Sequence, residues 1–284
     1  MKRALAGVLL SLASCANLDA FLFNPTPVDR YELAYDADAP ASWRVPDALR
    51  EEVEVTSRDG TRVYGYYLRR PDPEAATAPV VFYSHGNTRN LDLYWTRAGH
   101  LWALGANVLI YDYRGYGRTR GTPSEQAIYD DANAMLAWLR TGPRAAPAER
   151  LYLYGYSLGA AITCELASTT TPFRAMILEA PFASVAALVE DGTLVVPRSL
   201  LTANRFNNRA KVARATQNAA LGTTIFHGLD DDFVQPSNAR RLDAAIGEAG
   251  PHTLVLLEGA DHDTISRAPP NAVYEARMRA LLGR

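Results

Sequence analysis

The sequence predicts an α/β fold: a mainly parallel sheet of about eight strands, covered by helices on both faces, with a small cap insertion. Three observations predict it. From residue 79 onward, short apolar runs alternate with helical segments. The runs are mostly apolar rather than alternating, as suits strands buried on both faces. One of them, Leu151-Tyr152-Leu153-Tyr154, leads straight into Gly155-Tyr156-Ser157-Leu158-Gly159 and then Ala160-Ala161-Ile162. A strand, a sharp turn around a serine and a helix make the setting of a G-x-S-x-G nucleophile elbow. The glycines are steric requirements, because a Cβ at either position would collide with the crossing chain.

The chain has 284 residues and is 48% apolar, enough for one large domain with a full core. Its net charge is −2, with no long run of one sign, which argues against nucleic acid as a partner. The first residues read as a targeting segment. Lys2 and Arg3 precede a short apolar run, residues 4–12, too short to span a bilayer but suited to a signal peptide. Leu12-Ala13-Ser14-Cys15 closes it and resembles a bacterial lipobox, in which the cysteine is lipidated and becomes the first mature residue. The alternative is a plain secretory peptide with Cys15 incidental. Ala16 stands where the inner-membrane retention signal would place aspartate, so the outer membrane is the expected destination. Removing residues 1–14 leaves 27 basic against 31 acidic residues, a net charge of −4. With Cys15 lipidated, Cys164 has no partner for a disulfide and reads as a small core residue.

Residues 15–50 carry Pro25, Pro27, Pro40 and Pro46 and read as a tether lying against the domain. Phe21-Leu22-Phe23 could pack on the body or meet a lipid surface. The domain itself is expected over 51–284. Residues 52–56 and 63–68 form a hairpin around Asp59-Gly60. Strands follow at 80–84, 108–111, 151–154, 175–178, 223–226 and 253–257, and helices at 92–104, 123–139, 237–246 and 271–282. Thr122 is the expected cap of the second of these helices, with Pro123 at its first position and Glu125 in its first turn. Residues 183–215 interrupt the rhythm with Arg198, Arg205, Arg209, Lys211 and Arg214 and few acids, and read as a cap over the sheet. Those charges suit a solvated helix face, or an anionic substrate or headgroup.

A serine hydroxyl needs a base in hydrogen-bond reach, and the base needs an orienting acid. In open α/β sheets such groups lie past the carboxyl ends of strands. Of five histidines, His262 stands in the loop after the last strand and is the expected base. His227 is expected to prop its own loop; His100 falls on a helix and His252 at the wrong end of a strand. The acid should follow the preceding strand, where Asp230, Asp231 and Asp232 stand together. Clustered aspartates could also suggest a metal, but neither a matching histidine set nor EF-hand spacing accompanies them. Arg114-Gly115-Tyr116-Gly117 is not a dinucleotide fingerprint, since the third glycine comes one residue late, at Gly121.

These motifs, in the order Ser, Asp, His, resemble the α/β-hydrolase superfamily, near its ABHD and Bem46-like serine hydrolases, over about residues 50–284. The resemblance implies a loop of the form His-Gly-x-x-Asp-x-x-Val-Pro. Matching His227, Gly228 and Val234 selects Asp231 as the acid. Gln235 intervenes before Pro236, a departure that keeps Asp230 as the neighbouring alternative. Ser84-His85-Gly86-Asn87 resembles the His-Gly-Asn oxyanion loop of that group, which implies the Asn87 N–H as one oxyanion donor, or Gly86 in its place. The Leu158 N–H, following the nucleophile, is the other. The segment from Tyr111 to Gly117 also resembles the group and reads as scaffold.

The expected function is cleavage of a carboxylic ester or thioester by Ser157, His262 and Asp231 through an acyl-enzyme, on a small acyl substrate, with no metal or organic cofactor required. A peptidase or amidase of the same fold is the alternative within the class. A non-catalytic binding protein of the cell envelope is the alternative outside it.

Overall fold

The computed structural model describes residues 19, 22–170, 172–195, 205–267 and 269–283. The expected signal peptide, Cys15 of the expected lipobox, Phe21 and Arg198 of the expected cap lie outside the described residues. An eight-stranded sheet forms the centre. Its strands are β1 (Arg50–Thr56), β2 (Arg62–Leu68), β3 (Val80–Ser84), β4 (Asn107–Tyr111), β5 (Leu151–Tyr156), β6 (Ala175–Glu179), β7 (Thr223–Gly228) and β8 (His252–Leu257). The spatial order is β8-β7-β6-β5-β3-β4-β2-β1. β1 and β2 pair antiparallel, as do β2 and β4, and every other pairing is parallel. Gly60, with φ of +90°, supplies the turn of the β1–β2 hairpin.

Seven helices accompany the sheet among the described residues: α1 (Trp95–Ala103), α2 (Glu125–Thr141), α3 (Leu158–Thr169), α4 (Val185–Glu190), α5 (Asn208–Asn218), α6 (Ser237–Ile246) and α7 (Ala272–Leu281). Successive strand residues point to opposite faces, and this divides the core in two. Phe82, Leu151 and Leu153 face one side with Ile128 and Met135 of α2, Ile162 and Leu166 of α3, Val212 of α5 and Leu242 of α6. Val81, Tyr83 and Tyr154 face the other with Trp95 and Leu101 of α1 and Tyr274 and Met278 of α7. β3 and β5 are buried along their whole length, as the continuous apolar runs require. No helix among the described residues is long and apolar enough to cross a membrane.

Two boundaries differ from expectation. α2 begins at Glu125 and is capped by Ser124, whose hydroxyl accepts from the Ala127 N–H at 3.3 Å. Ser124 is fully extended there (φ −147°, ψ 164°), as a cap must be. Pro123 is used elsewhere. Its ring packs on the Gly115 backbone, where a Cβ would lie 2.9 Å from the proline Cδ. The segment 183–215 also divides. α4 opens it, but α5, from residue 208, buries Val212 and Ala215 in the core beside α3 and α6. α5 is thus the crossover helix between β6 and β7, not part of a cap. Lys211 accordingly pairs with Glu165 of α3 at 2.7 Å, and Arg205 with Glu125 at 2.8 Å.

The arm lies on the body. Leu22 and Phe23 are buried, and Phe23 meets the Phe206 ring edge-on at 6.0 Å. Farther along, Tyr31 donates to buried Asp112 at 2.7 Å, and Trp43 stacks on His100 at 3.9 Å.

Candidate active site

β5 ends in the elbow. Ser157 adopts φ 53° and ψ −114°, a conformation L-residues avoid and hold only where their surroundings over-determine it. Both flanking glycines make that turn possible. A Cβ on Gly155 would lie 2.3 Å from the Gly159 carbonyl oxygen, and one on Gly159 only 1.9 Å from that of Ser84. The turn is tied to β6 by the Ser157 N–H, which donates to the Glu179 carbonyl at 2.9 Å. α3 starts at once, so the Leu158 N–H is among the first-turn donors that have no intrahelical acceptor.

The loops after β7 and β8 meet because Gly228 has no side chain: a Cβ there would sit 2.1 Å from the Ala260 carbonyl oxygen. The Asp230 N–H donates to that same carbonyl at 3.0 Å. Asp231 turns inward while Asp230 and Asp232 stay exposed. Its Oδ1 accepts from the Phe233 and Val234 N–H groups, and its Oδ2 lies 2.8 Å from His262 Nδ1. Burial pushes the Asp231 carboxyl upward. Hydrogen bonds from His227 and His262, the His262 charge and the Val234 N–H outweigh it and hold the group at about 2. An ionised carboxylate only accepts, so His262 Nδ1 carries the proton and Nε2 offers its lone pair. That Nε2 lies 3.1 Å from Ser157 Oγ. Asp261 fixes the turn presenting His262, accepting from Thr264 Oγ1 and from the Asp263 and Thr264 N–H groups.

His227 props the acid loop, donating from Nε2 to the Val234 carbonyl at 2.7 Å. His85 lies buried between the rings of Tyr94 and Tyr113, bonded to Asp112 through Nε2. Gly86 is steric, since a Cβ would meet Tyr94 and Tyr156 at 2.8–2.9 Å. Asn87 follows it and lines a cavity of about 610 Å³ together with Ser157 and His262. Among the described residues, the Asn87 N–H makes no hydrogen bond. Cys164 is buried in α3, its thiol pushed up to about 12 by burial. His100, held at about 4 by burial, and His252 at the start of β8 stand outside the cavity. Among the described residues, no three His, Cys, Asp or Glu side chains group as metal ligands.

Sequence reasoning missed Arg97. On α1, it reaches under the His262 loop, pairing with buried Glu179 at 2.6 Å and donating to the Asp263 carbonyl at 2.7 Å. Ser266 bridges the same carboxylate at 2.8 Å, and the guanidinium lies 4.0 Å over the Tyr156 ring. Tyr156 in turn donates to Asp263 at 2.8 Å. A lone arginine on a helix carries no motif. The available signal was Glu179, a carboxylate closing an otherwise apolar strand, which when buried demands a cation.

Both the sequence and the fold have known counterparts. Over 247 residues the chain is 33% identical to an uncharacterized protein of Mycobacterium tuberculosis, Rv2307c, covering 85% of this chain and 84% of that protein. The chain has the α/β-hydrolase fold. Residues 75–214 match the family model described as serine aminopeptidase, S33. The uncharacterized protein YfhR of Escherichia coli is 28% identical over 232 residues, 80% of this chain and 78% of its own. The Pyrococcus furiosus esterase Pf2001 has the same fold, with a TM-score of 0.66 at 18% identity over 92% of this chain and 98% of its own.

Proposed function

We propose that this α/β-hydrolase is a serine hydrolase of carboxylic esters or thioesters. In this reading Ser157 attacks the acyl carbon as His262 Nε2 takes its proton. Asp231 keeps the imidazole in the required tautomer and stabilises it once charged. The Asn87 and Leu158 N–H groups receive the oxyanion of the tetrahedral intermediate. His262 then returns the proton to the leaving group, and water clears the acyl-enzyme by the same steps. The observation that carries the reading is the unbroken chain from Asp231 to His262 to Ser157, at 2.8 and 3.1 Å, opening on a cavity. An amide substrate is the second reading, favoured by the family model's description as a serine aminopeptidase. We further propose that Cys15 carries lipid and holds the protein at the cell envelope, at the outer membrane.

The test is turnover of a short p-nitrophenyl ester by the purified mature protein, with a fluorophosphonate probe to mark the nucleophile. We expect turnover and labelling of Ser157, and both should vanish in Ser157→Ala while the thermal transition stays in place. Unlabelled, inactive wild-type protein would leave the fold as a binding scaffold. A matched series of esters, thioesters and amides separates the first reading from the second.

A further inference from the structure

The N-terminal arm forms part of the cavity wall, where Asn24 lines it alongside Asn87, Ser157 and His262. Its contacts with the loop after β3 are specific. The Asn87 carboxamide donates from Nδ2 to the Leu22 carbonyl at 2.9 Å. Its Oδ1 accepts from the Tyr116 hydroxyl at 2.6 Å and from the Asn24 backbone N–H at 3.2 Å. Three of the four hydrogen-bonding positions of that side chain are thereby used, two of them by the arm. Asn24 and Pro25 then run parallel to Thr88 and Arg89 as a two-residue pairing. The Thr26 N–H donates to the Arg89 carbonyl at 2.8 Å, and Asn90 Nδ2 donates to the Thr26 carbonyl at 3.1 Å.

Arg89 is itself strained. Its φ of 61° is left-handed, a state that a residue with a Cβ keeps only when its neighbours impose it. The body of the domain holds the same stretch through the Tyr116 hydroxyl on Asn87 Oδ1, the Tyr94 hydroxyl on the Thr88 N–H and Asp112 on the Leu91 N–H. The arm is firmly seated. Leu22 and Phe23 are buried, and Thr26 and Val28 bond to both sides of Gly117.

We propose that residues 22–26 of the arm position the oxyanion loop, the Asn24 N–H and the Leu22 carbonyl fixing the Asn87 side chain and with it the direction of the adjoining Asn87 N–H. The inference rests on the serine-hydrolase reading above. Asn24 and Leu22 are positioning residues and touch no reacting atom. Losing a whole oxyanion donor costs about 10²–10³ in kcat, so loosening one should cost about 10–100-fold.

The experiment compares full-length wild-type protein with Asn24→Pro, which deletes the N–H, and Asn87→Ala, which keeps the backbone donor but removes the group the arm holds. Active sites are first titrated with a fluorophosphonate, and ester turnover is then expressed per titrated site. We expect kcat per site to fall about 10–100-fold in both variants, with KM changed less than about 3-fold, because ground-state binding is left in place. A purely structural arm would lower the titratable fraction and leave kcat per site at the wild-type value, and that result in either variant would overturn the proposal. Asn87→Ala leaves the arm's own sequence intact, so it answers the question even if Asn24→Pro does not fold. Failure of the wild-type enzyme to titrate at all would instead remove the serine-hydrolase reading beneath it.

Discussion

Three aspartates stand in a row at 230–232, and the sequence had no geometric means of choosing among them. The structure separates them by depth. Only Asp231 is buried, with His262, His227 and two backbone amides converging on its carboxylate. Asp231→Asn should therefore cost about 10⁴ in kcat, since an amide can hold the imidazole in the wrong tautomer. Asp230→Asn should cost less than about 3-fold, because Asp230 is exposed. Steady-state ester kinetics on the two variants check the ranking, and the reverse order would move the acid by one residue. The depressed Asp231 carboxyl also carries a stability effect of definite sign. A folded-state value of about 2 lies below the unfolded value of about 3.9. The stabilisation is therefore present above pH 4 and lost as pH falls toward 2. Acid titration of the folded protein should show this loss, and Asp231→Asn should flatten it. Ser157, His262 and their loops were legible because strand ends and glycine spacing are written in local sequence. Asn24 was not, because its contribution is a backbone N–H that any residue but proline supplies.

Among the elements, strands were easier to place than the starts and roles of helices. A run that is apolar up to its last residue, such as residues 80–84, leaves little freedom, and β3 occupies those residues. The start of α2 was misplaced at Thr122 and Pro123; Ser124 is the cap, and Pro123 packs instead on Gly115, a tertiary contact that local sequence does not show. α5 was hidden by its basic residues, which mark an exposed face while Val212 and Ala215 bury the other. The contact between α1 and the His262 loop was likewise invisible. Arg97 joins α1, the end of β6 and the loop after β8 through one buried pair with Glu179. Removing one partner of such a pair leaves the other charge buried and unpaired, a loss of about 3–5 kcal/mol. Arg97→Met should lower the unfolding midpoint accordingly and loosen the His262 loop. Thermal melts would register the first effect, and the second would appear as reduced kcat at temperatures where the variant is still folded. A variant with unchanged stability would mean that water replaces the arginine.

At the scale of the whole molecule, the arm links two features that the sequence presented as separate, the proposed export signal and the candidate site. Asn24 lines the cavity and stands nine residues after Cys15. An extended chain spans at most about 3.6 Å per residue, so a lipid on Cys15 would hold the cavity within about 30 Å of the bilayer surface. Leu22 and Phe23 are buried on the body, only seven and eight residues after Cys15. Such an anchor acts as a raised local concentration toward substrates in that bilayer, and does nothing for substrates free in water. Two measurements on the same preparation separate the cases. Lipidated protein and its Cys15→Ser variant should turn over a soluble short-chain ester at equal rates. Against a long-chain ester carried in liposomes, the lipidated form should be faster by about 10-fold or more, within the range that tethering gives. Equal rates on the liposomal ester would mean that the anchor does not serve the site, and acyl labelling that persists in Cys15→Ser would mean that Cys15 is not the anchor.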